Sequence, residues 1–275
     1  MFTLNCKGRL VRFETPVVMG IINTTPDSFY RGSRVEFEDA ILQRAESMIR
    51  DGATFLDIGG QSTRPGSKLV GVTEETDRVI PAIELIHRHF PNQLLSVDTF
   101  YGPVARAAVA AGASLVNDIS AGNFDLSMIP AVAELNVPYV LMHMQGRPAT
   151  MQDAPHYENV TLEVFDFLSF KLAELVKAGI RDVIIDPGFG FGKTAMHNFT
   201  LLKQLPILSK LERPILAGLS RKGTVYKTLG VRAEDALNGT TVLNTIALMN
   251  GASLLRVHDV KEAVEAVKLF TAYAG

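Results

Sequence analysis

Apolar residues in this chain gather into eight short, β-branched runs, each closing on a polar side chain and leading into a loop and then a stretch of helical periodicity. The runs are VVMGIIN, ending on Asn23; TFLDIGG, through Asp57; LLSVD, on Asp98; SLVND, through Asn117; PYVLMH, on His143; DVIID, on Asp186; PILAGLS, on Ser220; and SLLRVH, on His258. Each is too short for a globular helix and rich in Val, Ile and Leu, as a strand buried on both faces should be. Between the first two, Phe37, Ala40, Ile41, Ala45, Met48 and Ile49 share one face of a helix predicted over 36–50. Thr73 is placed to cap the next helix, whose first turn carries Glu74 and Glu75, and Pro81 is expected to kink that helix or end its first part. Further helices are predicted over 102–111, 125–135, 157–178, 196–204, 234–250 and 260–270.

The strand ends recur about every 34 residues, close to one βα unit each. The returns from helix to strand are tight, at 51–53, 111–113, 178–180 and 250–252. The loops after runs one, two, five and seven are long, at 24–35, 59–73, 144–156 and 221–233. Short connections at one end and long ones at the other describe a (β/α)8 TIM barrel with a working C-terminal face. The alternative, an open doubly wound sheet, needs edge strands, and none of the eight runs is polar enough to be one. Residues 3–14 read as an additional N-terminal β-hairpin, turning at Lys7-Gly8 and covering the bottom of the barrel. No linker or low-complexity tract interrupts the sequence, so residues 1–275 are expected to form a single domain.

Composition narrows the class of partner. Hydrophobic residues make up 47% and charged residues 20%, and 27 Lys and Arg stand against 29 Asp and Glu. That balance fits a folded soluble protein and offers no positive excess for nucleic acid or an anionic membrane. The one cysteine, Cys6, cannot form an internal disulfide. Lys7, Arg9, Arg12 and Glu14 stand where a signal peptide needs an apolar stretch, and no run nears the ~20 residues that span a bilayer. The expectation is a cytoplasmic protein acting on small molecules.

In a barrel, polar side chains at the C-terminal ends of the strands converge on one mouth. Asp98, Asn117 and Asp186 then supply acceptors and a donor around the rim, which suits a flat heterocycle with several N–H groups, such as a pterin or a purine. Asp57 and Asn117 can equally cap a neighbouring loop. Arg256 and His258 share a face and read as a clamp for phosphate or diphosphate, or as an ion pair to a strand-end carboxylate. In AGLSRKG, Ser220 and the backbone N–H groups after it can receive an anion beside the mobile cation Lys222. The segment DPGFGFGK lacks the spacing of a nucleotide P-loop; of Phe189 and Phe191, one flanks a planar substrate or both pack the loop. His143 either orients a neighbour or is a satisfied buried side chain. No nucleophilic triad and no zinc spacing stands out.

Eight strings in order, GIINTTPDSF (20–29), DIGGQSTRPG (57–66), SVDT (96–99), VNDISAG (116–122), LMHMQG (141–146), IIDPGFGFGK (184–193), GLSRKG (218–223) and LLRVHDV (254–260), together cover essentially the whole chain. With them the chain resembles the dihydropteroate synthases, the folate-pathway transferases inhibited by sulfonamides. The resemblance implies that 6-hydroxymethyl-7,8-dihydropterin diphosphate is joined to p-aminobenzoate, giving 7,8-dihydropteroate and pyrophosphate, with Mg²⁺ accompanying the diphosphate. It implies that Asp98, Asn117, Asp186 and Lys222 hold the pterin and that Arg256 lies against its face. Arg256, His258 and Asn23 would address the diphosphate or its Mg²⁺, with Asn23 the metal ligand; Asn23, Lys222, Arg256 and His258 would be the catalytic set. Ser220 would receive the p-aminobenzoate carboxylate beside Phe191, and Phe29, Thr63, Arg64 and Pro65 would sit in two mobile loops that close over it. A homodimer through the outer helices is also implied.

The chemistry agrees with that reading. A carbon conjugated to an electron-rich dihydropterin can bear positive charge, so a dissociative pterin-cation step, shielded from water by the loops, needs no strong general base. Two departures stand out: Gln61 where the family usually has Glu, and Tyr30-Arg31 where it usually has Ser-Asp. They predict unchanged pterin binding and altered p-aminobenzoate affinity, read as KM in wild type against Arg31→Asp. Two other readings share Asp98, Asn117 and Asp186: a methyltetrahydrofolate methyltransferase-type barrel, which has no use for Ser220-Arg221-Lys222, and a catalytically silent pterin binder.

Overall fold

The computed structural model describes residues 1–25, 34–61, 69–148 and 150–275. Strands β1 (Phe2–Cys6) and β2 (Arg9–Phe13) form the expected hairpin, with Phe2 opposite Phe13 and Cys6 opposite Arg9. Lys7 and Gly8 both take positive φ, 55° and 83°, the primed turn whose twist suits two joined strands. The Asn5 side chain accepts from the Gly8 N–H and fixes the turn.

Eight parallel strands follow: β3 (Val17–Asn23), β4 (Phe55–Gly59), β5 (Leu94–Asp98), β6 (Leu115–Asp118), β7 (Tyr139–Met142), β8 (Val183–Asp186), β9 (Leu216–Ala217) and β10 (Leu254–Val257). Their order is β8-β7-β6-β5-β4-β3-β10-β9, so the first and last barrel strands lie side by side. A single bridge, Ile185 to Ile215, joins the two outer strands of that order and completes a barrel rather than an open sheet. The outer layer is α1 (Arg34–Arg50), α2 (Val72–His89), α3 (Gly102–Ala111), α4 (Met128–Leu135), α5 (Val160–Lys177), α6 (Ala195–Lys203), α7 (Gly223–Leu229), α8 (Leu237–Met249) and α9 (Val260–Ala274).

Two cores result from the alternation of side chains along the strands. Outward-facing Val18, Leu56, Val97, Val116, Leu141 and Ile185 pack against the helices. Inward-facing Val17, Met19, Phe55, Leu115, Val140, Ile184, Leu216 and Leu254 fill the lower barrel, and Leu4, Cys6 and Phe13 of the hairpin close it from beneath. The Phe13 and Phe55 rings lie 5.8 Å apart. Two polar contacts pin the hairpin: the Asn5 N–H donates to Asp182 at 3.0 Å, and Lys7 Nζ donates to the Val109 carbonyl at 2.7 Å.

Several expectations need correction. Gly71 precedes α2 as its N-cap and no side chain caps it, so Thr73 lies inside the first turn. Pro81 neither ends nor divides α2. Both Pro81 and Asp77 are exposed, so water can take the carbonyl that proline leaves without a donor, while Val79, Ala82, Ile83 and Ile86 hold the buried face. The stretch 221–233 is not one loop; it contains α7, stopped by Gly230 at φ 66°, and a 3₁₀ turn at Ala233–Asp235. Seven residues are too few for periodicity to reveal. His143 and His258 fall one residue beyond their strands, and Ser220 three beyond β9.

Candidate active site

The register brings the strand-end side chains into layers. Asp57 pairs with Ile21 and Ser96, whereas Asn23, Gly59 and Asp98 follow one another two residues higher. Asn117 is the partner of Asp98 on β6. Across the barrel, Arg256 of β10 donates from Nε to Asp57 Oδ2 and from Nη2 to Asp98 Oδ2, each at 2.6 Å. Asn117 Nδ2 donates to the same Asp57 oxygen at 2.9 Å. The ion-pair reading of Arg256 therefore holds, and it does not use the residue up: 20% of its side chain and 17% of that of Asp98 stay accessible, against none for Asp57. Among the described residues Asp57 caps no loop; it ties Asn117 to Arg256.

Charge in this mouth is dense and poorly hydrated. Burial works against the Arg256 cation, but Asp57 and Asp98 outweigh it and hold the guanidinium charged. Burial drives Asp98 up to about 7 against the pull of Arg256, helped by the negative charges of Asp57, Glu75 and Asp118. Asp186 is raised by burial and held back chiefly by Lys222; its Oδ1 accepts from the Gly188 N–H at 2.7 Å. Burial lowers Lys222 to about 8, with Asp186 opposing. Lys222 Nζ donates to the Phe189 carbonyl and lies 4.5 Å from the centre of the Phe191 ring.

Of the two phenylalanines, Phe189 is buried in the helix-facing core. Phe191 instead joins Phe100, Ile119 and Met142 in a small apolar cluster beside Lys222. An apolar wall, two cations and carboxylates at different heights can grip a flat, polar-edged ring.

Ser220 Oγ lies 3.0 Å from His258 Nδ1 and accepts from the His258 N–H. Burial and the nearby Arg256 lower His258 to about 4, so it enters as a neutral imidazole rather than as half of a cation pair. The first two backbone donors after Ser220 are engaged: the Arg221 N–H goes to Thr240 Oγ1 and the Lys222 N–H to the Leu219 carbonyl. The Ser220 hydroxyl and Lys222 are the side-chain groups here that could receive an anion. Arg221 points its guanidinium at Asp259, at 2.8 and 2.9 Å, and anchors this loop to the start of α9.

Two structural groups escaped the sequence reading. Lys193 is buried, with Nζ at 2.9 Å from His143 Nδ1 and donating to the carbonyls of Gly188 and Phe191 at 3.0 and 3.1 Å. Burial lowers Lys193 to about 7, and burial with Lys193 holds His143 down at about 2, neutral and able to accept. This strut shapes the loop carrying Phe189 and Phe191. Its glycines matter: a Cβ on Gly188, at φ 69°, would sit 1.9 Å from the His143 carbonyl oxygen. The signal was a lysine closing a glycine-rich loop next to a strand-end histidine, which sequence alone cannot separate from a surface lysine. The second group is Asp118, which accepts from the N–H groups of Ser120 and Gly122 and from the Tyr139 hydroxyl, at 2.7, 2.8 and 2.7 Å, and shapes the loop after β6.

Gln61 uses its amide fully. It donates to the Val70 carbonyl at 2.9 Å and to Glu75, and accepts from the Val70 N–H at 3.0 Å. An amide does this without a proton, whereas a carboxyl here would face Glu75, itself raised by burial. Phe29, Tyr30, Arg31, Thr63, Arg64 and Pro65 lie outside the described residues. Asn23 is half-buried at the end of β3, in the layer of Asp98.

The pattern of the family described as pterin binding enzyme matches residues 19–258. The dihydropteroate synthase of Escherichia coli strain K12 is 42% identical over 271 residues, covering 98% of this chain and 95% of its own length. The chain belongs to the dihydropteroate synthase family. Among solved structures, the Xanthomonas albilineans dihydropteroate synthase with 4-aminobenzoic acid aligns with a TM-score of 0.92 at 44% identity, over 99% of this chain and 98% of its own. The same organism's dihydropteroate synthase in complex with 7,8-dihydropteroate gives 0.89 at 42%, over 99% of both chains. Membership sets aside the methyltransferase-type reading. Among the described residues, no helix is long and apolar enough to cross a membrane.

Proposed function

We propose that this chain condenses 6-hydroxymethyl-7,8-dihydropterin diphosphate with p-aminobenzoate, releasing 7,8-dihydropteroate and pyrophosphate in folate biosynthesis. The observation that carries the reading is the linked set Asp98, Asn117 and Arg256, with Asp186 and Lys222, at the mouth of a barrel similar over 99% of its length to synthases holding 4-aminobenzoic acid and 7,8-dihydropteroate. Asp98, Asn117 and Asp186 read the pterin edge, and Lys222 with Phe191 borders it. Arg256 lies against the ring and, with neutral His258, meets the diphosphate. The bond from the methylene carbon to the diphosphate oxygen breaks, and its electron pair leaves with pyrophosphate. The p-aminobenzoate nitrogen then gives its lone pair to that carbon and sheds a proton to solvent or pyrophosphate. Ser220 orients the incoming carboxylate, and Phe29, Thr63, Arg64 and Pro65 belong to the loops that exclude water.

Mg²⁺ fits this site in one way. Asn23 offers a single hard oxygen donor, and the described residues contain no group of three or more His, Cys, Asp or Glu able to hold a metal. Mg²⁺ commonly keeps waters and rides on substrate phosphates with few protein ligands. It would neutralise the leaving pyrophosphate, held to the protein through Asn23. Chelation should then weaken binding of the pterin diphosphate while leaving 6-hydroxymethylpterin binding unchanged.

The protein works in the cytoplasm as a homodimer. Support for the dimer comes from α8 and α9, where Met249, Leu269 and Tyr273 are 60%, 74% and 81% exposed along a groove of about 480 Å³. Sedimentation should give a dimer, and Leu269→Glu a monomer. The enzymatic reading is tested by following pyrophosphate and dihydropteroate together. Equal, p-aminobenzoate-dependent amounts support it. Pterin binding without turnover would instead support the silent binder.

A further inference from the structure

We infer that Asp57 is a positioning residue, a carboxylate closed to any ligand that sets both the amide orientation of Asn117 and the plane of the Arg256 guanidinium. The inference rests on the pterin-binding reading. Asp57 is completely buried, whereas the two neighbours it shares with the mouth, Arg256 and Asp98, keep accessible surface. It therefore acts through other side chains. A single oxygen, Oδ2, accepts from both Arg256 Nε and Asn117 Nδ2.

The chemistry of that oxygen decides orientation. An ionised carboxylate only accepts, so Asn117 must turn its NH₂ group towards Asp57 and present its carbonyl oxygen away from it. In the reverse flip two acceptors would face each other in a dry interior. Asn117 thus enters the site as an acceptor for a ligand N–H. The same oxygen takes Arg256 by Nε, which leaves Nη2 for Asp98 and fixes the guanidinium between two strands.

Stability alone does not account for Asp57. Among the described residues its Oδ1 is buried with no hydrogen-bond partner, and Ser96 Oγ, on the register partner, is also unpartnered. A well-packed apolar side chain at this depth would avoid that desolvation. An unfavourable charge held at a substrate site is expected where geometry for binding outweighs stability.

The test is Asp57→Asn in the full-length protein, titrated with 6-hydroxymethylpterin by calorimetry across pH. The groups facing Asp98 are Arg256 from β10, Asp57 from β4, Glu75 from α2, Asp118 from β6 and Lys222 after β9. Removing the negative charge at 57 favours the ionised form of Asp98, so the acid midpoint of binding should move to lower pH. Loss of the charged acceptor should weaken binding at neutral pH about ten- to hundredfold. The KM for p-aminobenzoate should stay close to wild type, whereas the melting temperature should fall, because Arg256 keeps one carboxylate partner, Asp98, in place of two. An unchanged affinity and acid midpoint, or a large fall in melting temperature with binding intact, overturns the inference and leaves the pterin reading standing. A wild type that binds no pterin overturns both. Should the variant not fold, proton exchange in the wild type decides: the Asn117 side-chain amide and the Arg256 Nε–H should exchange slowly, and fast exchange at either overturns the inference.

Discussion

The two ends of the barrel are built on the same strands and are both buried, yet they do opposite things with burial. At the bottom, Met19, Phe55, Val140, Ile184, Leu216 and Leu254 meet the hairpin's Leu4 and Phe13 in an apolar cluster, with polar contacts at its margin, from Asn5 and Lys7. At the mouth, a few residues along the same strands, Asp57, Asp98, Asn117 and Arg256 are joined by three hydrogen bonds among buried or half-buried side chains. The bottom gains stability for each group removed from solvent. The mouth loses solvation and keeps its charges only because they pair. Stability and chemistry are thus separated along the strand axis.

Substitutions should expose that division. At the bottom, Phe55→Ala empties a fully buried site and should cost about 3–5 kcal/mol in chemical denaturation, with both KM values unchanged. A rise in either KM would show that the plug is coupled to the mouth. At the mouth, Arg256→Met should lower kcat/KM about a hundred- to thousandfold, because it removes the cation placed for the leaving group. Lys193→Met should have a smaller effect, with the affinity for 6-hydroxymethylpterin falling about tenfold as the Phe191 loop loses its strut. Pterin binding should also depend on pH. Asp98, raised to about 7, loses its acceptor charge below that value, and Lys222, lowered to about 8, loses its proton above it, so affinity should peak between the two. Flat binding from pH 6 to 9 would deny both residues a place at the ligand. The smallest effect is expected from Gly8→Ala, about 1 kcal/mol from the positive φ it must hold, with turnover unaffected.

The barrel was legible because its strands are buried on both faces and end on polar residues; Asn23, Asp98 and Asp186 are the last residues of β3, β5 and β8, as their runs suggest. The hairpin turn was legible from Lys7-Gly8 for a local reason, the backbone twist that two positive φ angles provide. Pairings across the barrel were not. Nothing near Asp57 in sequence announces Arg256, 199 positions away, or Asn117, 60 away. The charge state of His258 was hidden for the same reason, since it follows from burial and from Arg256. Pro81 does not end α2, because the rule against proline in a helix assumes that the freed carbonyl is costly, and on an exposed face it is not.

The joint between β8 and β9 has a consequence for motion. Most neighbouring strands are stitched along their length, including β3 to β10, where Val17 to Gly20 pair with Leu254 to Val257, while β9 meets β10 through two pairs only. Between β8 and β9 the ladder is one bridge, Ile185 to Ile215, and β9 itself is two residues long. Asp186 stands on one side of this joint, and Ser220 and Lys222 follow on the other. Among the described residues this is the weakest link of the ring, and the residues proposed to contact the pterin and the carboxylate straddle it. Amides at 185 and 217 should exchange with solvent ahead of those in β4 and β5, and a pterin bound as proposed, against Asp186 and Lys222, should slow them most. Ligand binding would then act on the scaffold as a clasp, closing the barrel at the place where its own backbone holds it least.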